Sequence, residues 1–528
     1  MVTEPCIPGE GASMPRRMHV GDAAGPDHWW SVDRKRARGR TGSCRGAPHD
    51  SVGADEGSRL AEREDQMTGT EDATDRATEL AIDRRRFMVA ALAAGAVGAS
   101  ASAARAETAS SAAELRLTIG QAGRGPSRFH PSFVKDVGLL TDLNDTNQGG
   151  AWWNFDTYIT PLDQFYIRNE YPTPRPEIDR RVDPRTWRLK IHGDGVERPI
   201  EIGYEDLLRM PSRSIISVMQ CAGNGRSLFW EQQDMLSPPN KVSGNGWGLG
   251  GVGLAEWQYV PMSHILGLVG LKPNAKACLF WSGVDGKAPN TESDTGRPTP
   301  VSQLLERGDD IGLAFKMNGK ALLPDHGAPV RALVPGWCGG ASTKWLTEIK
   351  IASHDFWVRL NTIGHSMVGP AYPPPVPAPD DEFRFIRRDQ VIGQPVTWHP
   401  MRSMLTVPFV LAKQPKMPGN YPLERGEAPV LPAGPQVLRG YAWAPRAGVR
   451  RVDVRVNGGG WQEARITDPQ PNPYTWRRFE IPIDPQPGEA LIETRTMDNR
   501  GEVQPATVPF NEGGYDFSAI PRFRLRFA

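Results

Sequence analysis

A cysteine at the end of a predicted strand is the residue of this sequence with the clearest chemical potential. Cys221 follows the apolar run 215–219 and opens a glycine-rich loop that leads to Arg226. A cation near a thiol lowers its pKa, and the resulting thiolate is a nucleophile or a ligand for a soft metal. The alternative is a small buried hydrophobic residue, which is the common use of a lone cysteine. The loop therefore makes Cys221 a candidate metal ligand.

The N-terminal region adds an argument for a bound cofactor. Arg84 and Arg85 precede a short apolar run, 88–99, and a stretch of small residues that ends at Ala106, which is the layout of a secretory signal. The paired arginines resemble the twin-arginine type, a route that exports proteins already folded around a cofactor. We therefore predict cleavage before Glu107 and a periplasmic or extracytoplasmic location. The alternative is a basic turn before an alanine-rich surface helix.

The cysteine count agrees with a bound metal. Cys6 and Cys44 precede the predicted cleavage site, so that Cys221, Cys278 and Cys338 remain in the mature chain. Three cysteines cannot all pair, and a free thiol in an oxidising compartment needs burial or a metal. The sequence has no C-x-x-C-H motif for haem attachment and no C-x-x-C spacing for zinc. It therefore predicts no haem in this chain.

The elements that must hold the Cys221 loop have the patterns of a mixed α+β domain. Trp187, Leu189 and Ile191 alternate with polar residues, as in a half-buried strand. Further strands are predicted at 215–219, 277–281, 311–317 and 330–334. Helices are predicted between them at 204–210 and 262–269. Because strands and helices are interspersed, we expect one α+β domain over 155–372.

The C-terminal region has strand patterns only. A proline-rich connector, 373–389, precedes it, and Val452, Val454 and Val456 alternate with charged residues inside it. Repeated short strands over 390–528 predict an immunoglobulin-like β-sandwich. The remaining expected divisions are a disordered or non-native extension 1–66 with the true start at Met67, a signal peptide 67–106 and an arm 107–154.

The composition excludes several classes of protein. The 528 residues carry 62 basic and 61 acidic side chains, which gives no support to a nucleic-acid or anionic-membrane partner. The length rules out a peptide-sized protein. No apolar run reaches the roughly 18 residues that span a bilayer, which argues against an integral membrane protein.

The Cys221 loop resembles that of the sulfite oxidase family of molybdopterin-dependent oxidoreductases. The family places its molybdenum-binding cysteine in a Q-C-A-G-N motif, as in Gln220–Asn224 here. Further segments that fit the family's motifs in order and spacing are Phe165–Asn169, Phe315–Gly319, Asp325–Arg331, Val334–Gly336 and Ser342–Leu346. The resemblance extends over about residues 155–525 and includes the sandwich, which is similar to the family's dimerisation domain.

The resemblance implies a molybdopterin cofactor with one molybdenum per chain and Cys221 as its only protein ligand. The residues that it implies for cofactor binding are Tyr166, Ile167, Arg168, Asn169, Glu170, Cys221, Asp285, His326, Arg331, Ser342, Thr343 and Lys344. Arg168 and Arg226 are the guanidinium groups expected to hold an anionic substrate, because a planar donor fork suits an oxyanion. The expected catalytic residues are thus Cys221, Arg168 and Arg226.

The activity that the resemblance implies is oxidation of sulfite to sulfate, with electrons passed to a separate c-type cytochrome and two chains paired through the sandwich. One alternative is an enzyme of the same family that acts on another small oxo-compound, such as a sulfoxide. A different class of alternative is a cofactor-free exported binding module built on the sandwich.

Three departures from the family's pattern concern the substrate, one of which is Asn472 at the place where the family has a further substrate arginine in the sandwich. Glu170 follows Arg168-Asn169 where the family's sulfite oxidases commonly have histidine. The family often has an active-site tyrosine a few residues after a tryptophan that corresponds to Trp357, and Val358–Ile363 contains none. A carboxylate in place of a cation should weaken the binding of a dianion.

Overall fold

The computed structural model describes residues 132–135, 140–144, 146–235, 237–284, 295–406 and 428–528. They belong to one compact unit that spans 70–528. The predicted extension 1–66, the predicted signal peptide 67–106 and Asp285 lie outside the described residues. No helix in the described part of the chain combines the length and the apolar character needed to cross a membrane.

Two five-stranded sheets build the part of the fold that carries Cys221. The strands of the first are Arg213–Gln220, Val252–Pro261, Gly312–Met317, Lys320–Ala321 and Arg331–Leu333. The strands of the second are Arg188–His192, Ile200–Gly203, Ala277–Trp281, Gly296–Pro300 and Glu348–Ala352. The pairs within both sheets are antiparallel except Arg188–His192 with Glu348–Ala352, which run parallel.

The burial of these strands follows their sequence patterns. In Arg188–His192 the apolar residues Leu189 and Ile191 are buried, while Arg188 and Lys190 are exposed, as the alternation predicts. Ala277–Trp281 is apolar throughout and is buried at every position. The mixed α+β character predicted for this region is therefore confirmed.

Short helices connect the strands. The α-helices in the described part of the chain are Tyr204–Arg209, Arg226–Gln233, Met262–Val269 and Val301–Arg307. The 3-10 helices there are Trp152–Asn154, Pro324–His326, Gly339–Ala341, Arg359–Asn361 and Arg388–Gln390.

Small sheets attach the arm and the connector to this core. Strand Leu140–Asn144 pairs with Asn147–Gly150, which pairs in turn with Ile167–Arg168. Two further pairs join Phe356–Trp357 to Glu382–Phe383 and Ser366–Met367 to Gln394–Pro395. The arm thus reaches one of the segments that the sequence assigns to cofactor binding.

The C-terminal region is a β-sandwich, as the sequence predicts. One sheet contains Arg402–Thr406, Gln436–Trp443, Arg465–Ile466 and Arg477–Ile483. The other contains Val430–Leu431, Val449–Val456, Gln462–Glu463, Gly488–Asp498 and Arg522–Phe527. The sandwich shares one hydrophobic core with the first sheet, because Val218 and Leu254 pack in the same cluster as Trp443, Trp476 and Phe479.

Candidate functional site

One cavity brings together most of the residues that the sequence assigns to the site. The predicted residues that line it are Tyr166, Arg168, Asn169, Glu170, Cys221, His326, Arg331, Ser342, Thr343 and Lys344. Ile167 is fully buried beside them in the strand that carries Arg168 and does not line the cavity. The prediction for Asp285 falls on a residue that is not described.

The sandwich contacts the residues on both sides of Cys221. The strand Arg213–Gln220 ends immediately before Cys221, whose amide donates to the carbonyl of Gly251 at 2.8 Å. Trp443 donates from Nε1 to Oε1 of Gln220 at 2.6 Å, and the amide of Asp516 donates to the carbonyl of Ala222 at 2.9 Å. Cys221 is 6 % exposed, and it faces the cavity from a fixed loop.

Lys344 joins three of the segments that the sequence assigns to cofactor binding. Its Nζ donates to Oδ1 of Asn169 at 2.6 Å and to the carbonyls of Arg168 and Asp325. Burial lowers the pKa of Lys344 well below its usual value, and the charge of Arg331 adds to that effect. A buried amine beside another cation is a group that an anionic ligand would stabilise in its charged form.

Arg331 organises the same part of the cavity. Its Nη1 donates to the carbonyl of His326 at 2.9 Å and its Nη2 to the carbonyl of Ser342 at 2.7 Å. Its Nε is buried and has no hydrogen-bond partner in the described part of the chain. Burial lowers the pKa of Arg331 to about 10. Arg331 thus holds the backbone of two residues predicted to bind the cofactor, and its Nε remains available as a donor.

Glu170 is an ion-pair partner of two arginines. Its Oε1 lies 2.6 Å from Nη2 of Arg168 and 3.4 Å from Nη1 of Arg359. Burial alone would raise the pKa of Glu170, but the guanidinium groups of Arg168 and Arg359 together lower it to about 2. Glu170 is therefore ionised in the physiological pH range, and it offsets part of the positive charge of the cavity.

Arg226 is placed differently from what the sequence suggests. It starts the helix Arg226–Gln233, does not line the cavity, and donates from Nε to the carbonyl of Gly513 and from Nη1 to that of Asn245. Its guanidinium carbon lies 5.1 Å from the ring centre of Tyr515. Its Nε and Nη1 thus donate to backbone carbonyls, one of which lies 287 residues away in sequence. The structure therefore gives Arg226 the contacts of a residue that fixes the Cys221 loop.

Sequence reasoning missed two residues at this end of the cavity. Arg359 pairs with Glu170, and His365 lines the cavity. A β-carbon on Gly340 would lie 2.6 Å from Nδ1 of His365, so a glycine is required where the imidazole packs. Burial lowers the pKa of His365 well below its usual value, as does the nearby charge of Arg168, and the ring is neutral. The basic and histidine residues that follow Trp357 were the available signal in the sequence.

The three cysteines of the described chain are free and buried. Burial raises the pKa of Cys338 to about 11 and that of Cys278 still further. Cys278 lies inside a central strand, and Cys338 packs with Ala222 and Val396. Neither Cys278 nor Cys338 lines the cavity, whereas Cys221 does. Cys221 is thus the thiol placed to bind a ligand there.

The donor set of the cavity fits the cofactor that the sequence resemblance implies. Arg331, Lys344, Ser342 and Thr343 offer cationic and hydroxyl donors suited to a phosphate, and Cys221 offers a soft ligand for a metal. The free Nε of Arg331 is an orphaned buried donor that a bound group would satisfy.

Comparisons with protein families agree with this donor set. Residues 174–357 match the oxidoreductase molybdopterin binding domain, and residues 423–515 match the Mo-co oxidoreductase dimerisation domain. The first match contains Cys221 and the cofactor residues from His326 to Lys344. The second lies within the sandwich region.

Individual relatives are distant but cover most of the chain. The mitochondrial sulfite oxidase of Mus musculus is 27 % identical over 362 residues, which are 66 % of this chain and 58 % of that relative. An NADH nitrate reductase of Ulva prolifera is 27 % identical over 384 residues, which are 70 % of this chain and 40 % of that relative. The chain thus spans less than two thirds of the length of these relatives.

A solved structure is similar as well. The sulfane dehydrogenase SoxCD from Paracoccus pantotrophus matches with a TM-score of 0.54 and 26 % sequence identity. The match covers 72 % of this chain and 84 % of that one. It therefore extends beyond either of the two matched domains alone.

Proposed function

Because the chain belongs to the sulfite oxidase family of molybdopterin-dependent oxidoreductases, we propose that it oxidises sulfite to sulfate. One observation carries this proposal. A single cavity is lined by the thiol of Cys221, the guanidinium of Arg168 and the hydrogen-bond donors around Lys344 that are suited to a phosphate. Sulfite and water give sulfate, two protons and two electrons. The same family membership favours an enzyme over a cofactor-free binding module.

The bound cofactor would supply the two-electron redox chemistry, and the residues of the chain would bind and orient the reactants. Cys221 would hold the metal, and Lys344, Ser342, Thr343 and Arg331 would hold the pterin and its phosphate. Arg168 would hold the substrate anion, as its cavity-lining position allows. The sandwich would keep Cys221 in place through its contacts to Gln220 and Ala222.

The partners in this proposal follow from the chemistry and from the domains. Two electrons must leave the site, and we assign them to a separate c-type cytochrome. The match to a dimerisation domain supports a homodimer formed through the sandwich. The paired Arg84 and Arg85 support twin-arginine export and a periplasmic location. N-terminal sequencing of the exported protein tests the last point, and a mature chain that begins before Arg84 would refute it.

Glu170 favours a second candidate substrate. Its carboxylate neutralises part of the charge that a sulfite dianion would meet beside Arg168. A sulfur substrate with a lower charge near the reacting atom, such as a persulfide-type sulfane, would lose less from that carboxylate. The name of the similar Paracoccus pantotrophus enzyme supports a sulfane as the alternative.

Cytochrome c reduction by the purified holoenzyme tests the proposal. Sulfite and a protein-bound or glutathione persulfide are compared as donors, with Cys221→Ser as the control and with molybdenum quantified in both proteins. Turnover on sulfite with kcat/KM above that on the persulfide supports sulfite, whereas the reverse order supports the sulfane. Turnover on neither, together with reduction of nitrate or a sulfoxide by an artificial donor, would overturn both.

A further inference from the structure

Lys135, in the N-terminal arm, contacts two of the segments that the sequence assigns to cofactor binding. Lys135 is 8 % exposed, and its Nζ donates to the carbonyl of Leu162 at 2.7 Å and to that of Phe165. The same Nζ lies 3.3 Å from Nε2 of His326, a residue that lines the cavity. Lys135 thus joins the segment before Tyr166 to the segment that begins at Asp325.

The contacts of Lys135 fix the tautomer of His326 when the lysine is protonated. Burial lowers the pKa of Lys135 to about 7, against the charge of Asp325, so the amine carries its third hydrogen below about pH 7. A carbonyl only accepts, so two hydrogens of the Lys135 ammonium are used on Leu162 and Phe165, and the third is left for His326. Nε2 of His326 then accepts, which places the imidazole proton on Nδ1. Burial lowers the pKa of His326 well below its usual value, and the charge of Lys135 contributes, so the ring is neutral.

We propose that Lys135 is a positioning residue of the cofactor site, whose ammonium form keeps His326 as an Nδ1–H donor for an acceptor group of the bound cofactor. The proposal rests on the cofactor assigned above. It concerns a residue of the arm that belongs to none of the motifs. The predicted consequence is that the arm helps to retain the cofactor through the hydrogen bond of Lys135 to His326, in addition to its packing beside the site.

The docking of the arm does not depend on the Lys135 side chain. The carboxylate of Asp325 accepts from the backbone amides of Val134 and Lys135 and from Oγ1 of Thr173. Phe133 is buried and packs with Leu140 and Ile167. Replacement of the Lys135 ammonium should therefore leave these backbone bonds and this packing in place.

The test compares Lys135→Met with Lys320→Met, which removes a lysine that is exposed on the strand Lys320–Ala321. Molybdenum and pterin per chain are measured in the purified full-length proteins, and the loss of both is followed over time after dilution. We expect cofactor loss about tenfold faster in Lys135→Met and unchanged in Lys320→Met. Circular dichroism checks the fold, and Lys135→Gln serves as a second variant if Lys135→Met folds poorly.

A rescue experiment separates positioning from a purely structural role. The amide nitrogen of an asparagine at 326 can replace the Nδ1–H donor without help from Lys135. In a His326→Asn background, Lys135→Met should therefore have little further effect on cofactor loss. Full additivity, or a Lys135→Met protein that retains the cofactor as the wild type does, would overturn the role of Lys135. A wild-type protein without molybdenum would instead refute the assigned cofactor, and the Lys135 proposal with it.

Discussion

At the scale of single residues, the environment of Cys221 separates it from the two other thiols. Cys221 lines the cavity, whereas Cys278 and Cys338 are sealed in the core with a raised pKa. A thiol with a raised pKa is a poor metal ligand, because the thiolate is the ligating form. Of the three buried cysteines, Cys221 is therefore the one that a ligand in the cavity could reach.

We predict that Cys221→Ser gives a folded protein with greatly reduced turnover, because the cavity keeps its pterin donors but loses the metal ligand. Cys338→Ala is the matched control, since the loss of a small buried side chain should cost about 1 to 2 kcal/mol of stability and leave specific activity intact. Turnover and molybdenum content of both proteins check this. Wild-type turnover in Cys221→Ser would remove that thiol from the mechanism.

We predict that Glu170→Gln lowers the KM for sulfite a fewfold to about tenfold, because it removes a negative charge from the cavity lining. The glutamine oxygen can still accept from Arg168, so the guanidinium should stay in place. The effect should shrink at high ionic strength. Since the pKa of Glu170 is about 2, the change should be independent of pH across the physiological range.

Steady-state kinetics at two salt concentrations measure this effect. An unchanged KM at both would show that Glu170 does not act on the substrate. A raised KM would show instead that its main role is to orient Arg168. For a substrate of lower charge, such as a persulfide, the same substitution should change KM less, and the ratio of the two effects therefore reports the substrate class.

The residues found from the sequence and those missed differ in a physical way. The residues that line the cavity among the predicted set lie within contiguous motifs, where order and spacing are visible in the chain. Lys135 and His365 were missed because each reaches the site from a segment with no motif. Arg226 stands beside the Cys221 loop in sequence, but its partner Gly513 is 287 residues away, and no local pattern reveals that contact.

At the scale of elements, the regular strands followed from the sequence and the short ones did not. Alternation identified Arg188–His192, and an apolar run identified Ala277–Trp281. The two-residue strand Glu382–Phe383 lies in the predicted proline-rich connector and pairs with Phe356–Trp357. A segment of two residues is too short to show the alternation of a strand. Its position depends instead on its partner strand, which is distant in sequence, and on buried carboxylates.

The carboxylates that anchor the connector depend on one lysine. Asp381 accepts from Nε1 of Trp357 and from the amide of Ala378, both at 2.8 Å, and Lys276 pairs with the neighbouring Asp355. Burial raises the pKa of Asp355 to about 6 despite the ammonium of Lys276. The folded state therefore takes up a proton at Asp355 between its unfolded pKa and about pH 6, and the ionised carboxylate is costly above that window.

We predict that Lys276→Met destabilises the protein more at pH 8 than at pH 5. At pH 8 the buried Asp355 carboxylate loses its partner, whereas at pH 5 it already carries a proton in the folded state. The expected cost at pH 8 is about 1 to 2 kcal/mol, below that of a fully buried pair because Lys276 is 44 % exposed. Urea unfolding at both pH values measures it, with exposed Lys241→Met as the control. An equal loss at both pH values would contradict the assignment.

At the scale of the whole molecule, the sandwich and the catalytic part share more than a linker. Val218 and Leu254 lie in one hydrophobic cluster with Trp443 and Trp476 of the sandwich. Hydrogen bonds add to this contact, since Nε1 of Trp476 donates to the carbonyl of Tyr158 at 2.9 Å. Sequence patterns predicted each domain, but they gave no indication of a joint core, because its members come from segments that are far apart in sequence.

We predict that Trp443→Phe lowers both stability and turnover. Trp443 is 1 % exposed, and it is the hydrogen-bond donor to Oε1 of Gln220, whose Nε2 already has no partner in the described part of the chain. Loss of that donor leaves a buried carboxamide unpaired at about 1 to 3 kcal/mol. Because Gln220 precedes Cys221 directly, its displacement should also reduce turnover. Trp461→Phe, at a ring that packs against Arg455 and Arg495, is the matched control.

Calorimetry of the same variants tests whether the two parts unfold together. A shared core should give one cooperative transition, because neither part can bury Trp443 and Trp476 alone. Trp443→Phe should then move the whole transition to lower temperature without splitting it, and Trp461→Phe should move it less. Two resolved transitions in the wild type, of which Trp443→Phe shifts only the one assigned to the sandwich, would show that the domains are independent. In that case the hold of the sandwich on Gln220 and Ala222 could not account for the fixed position of Cys221.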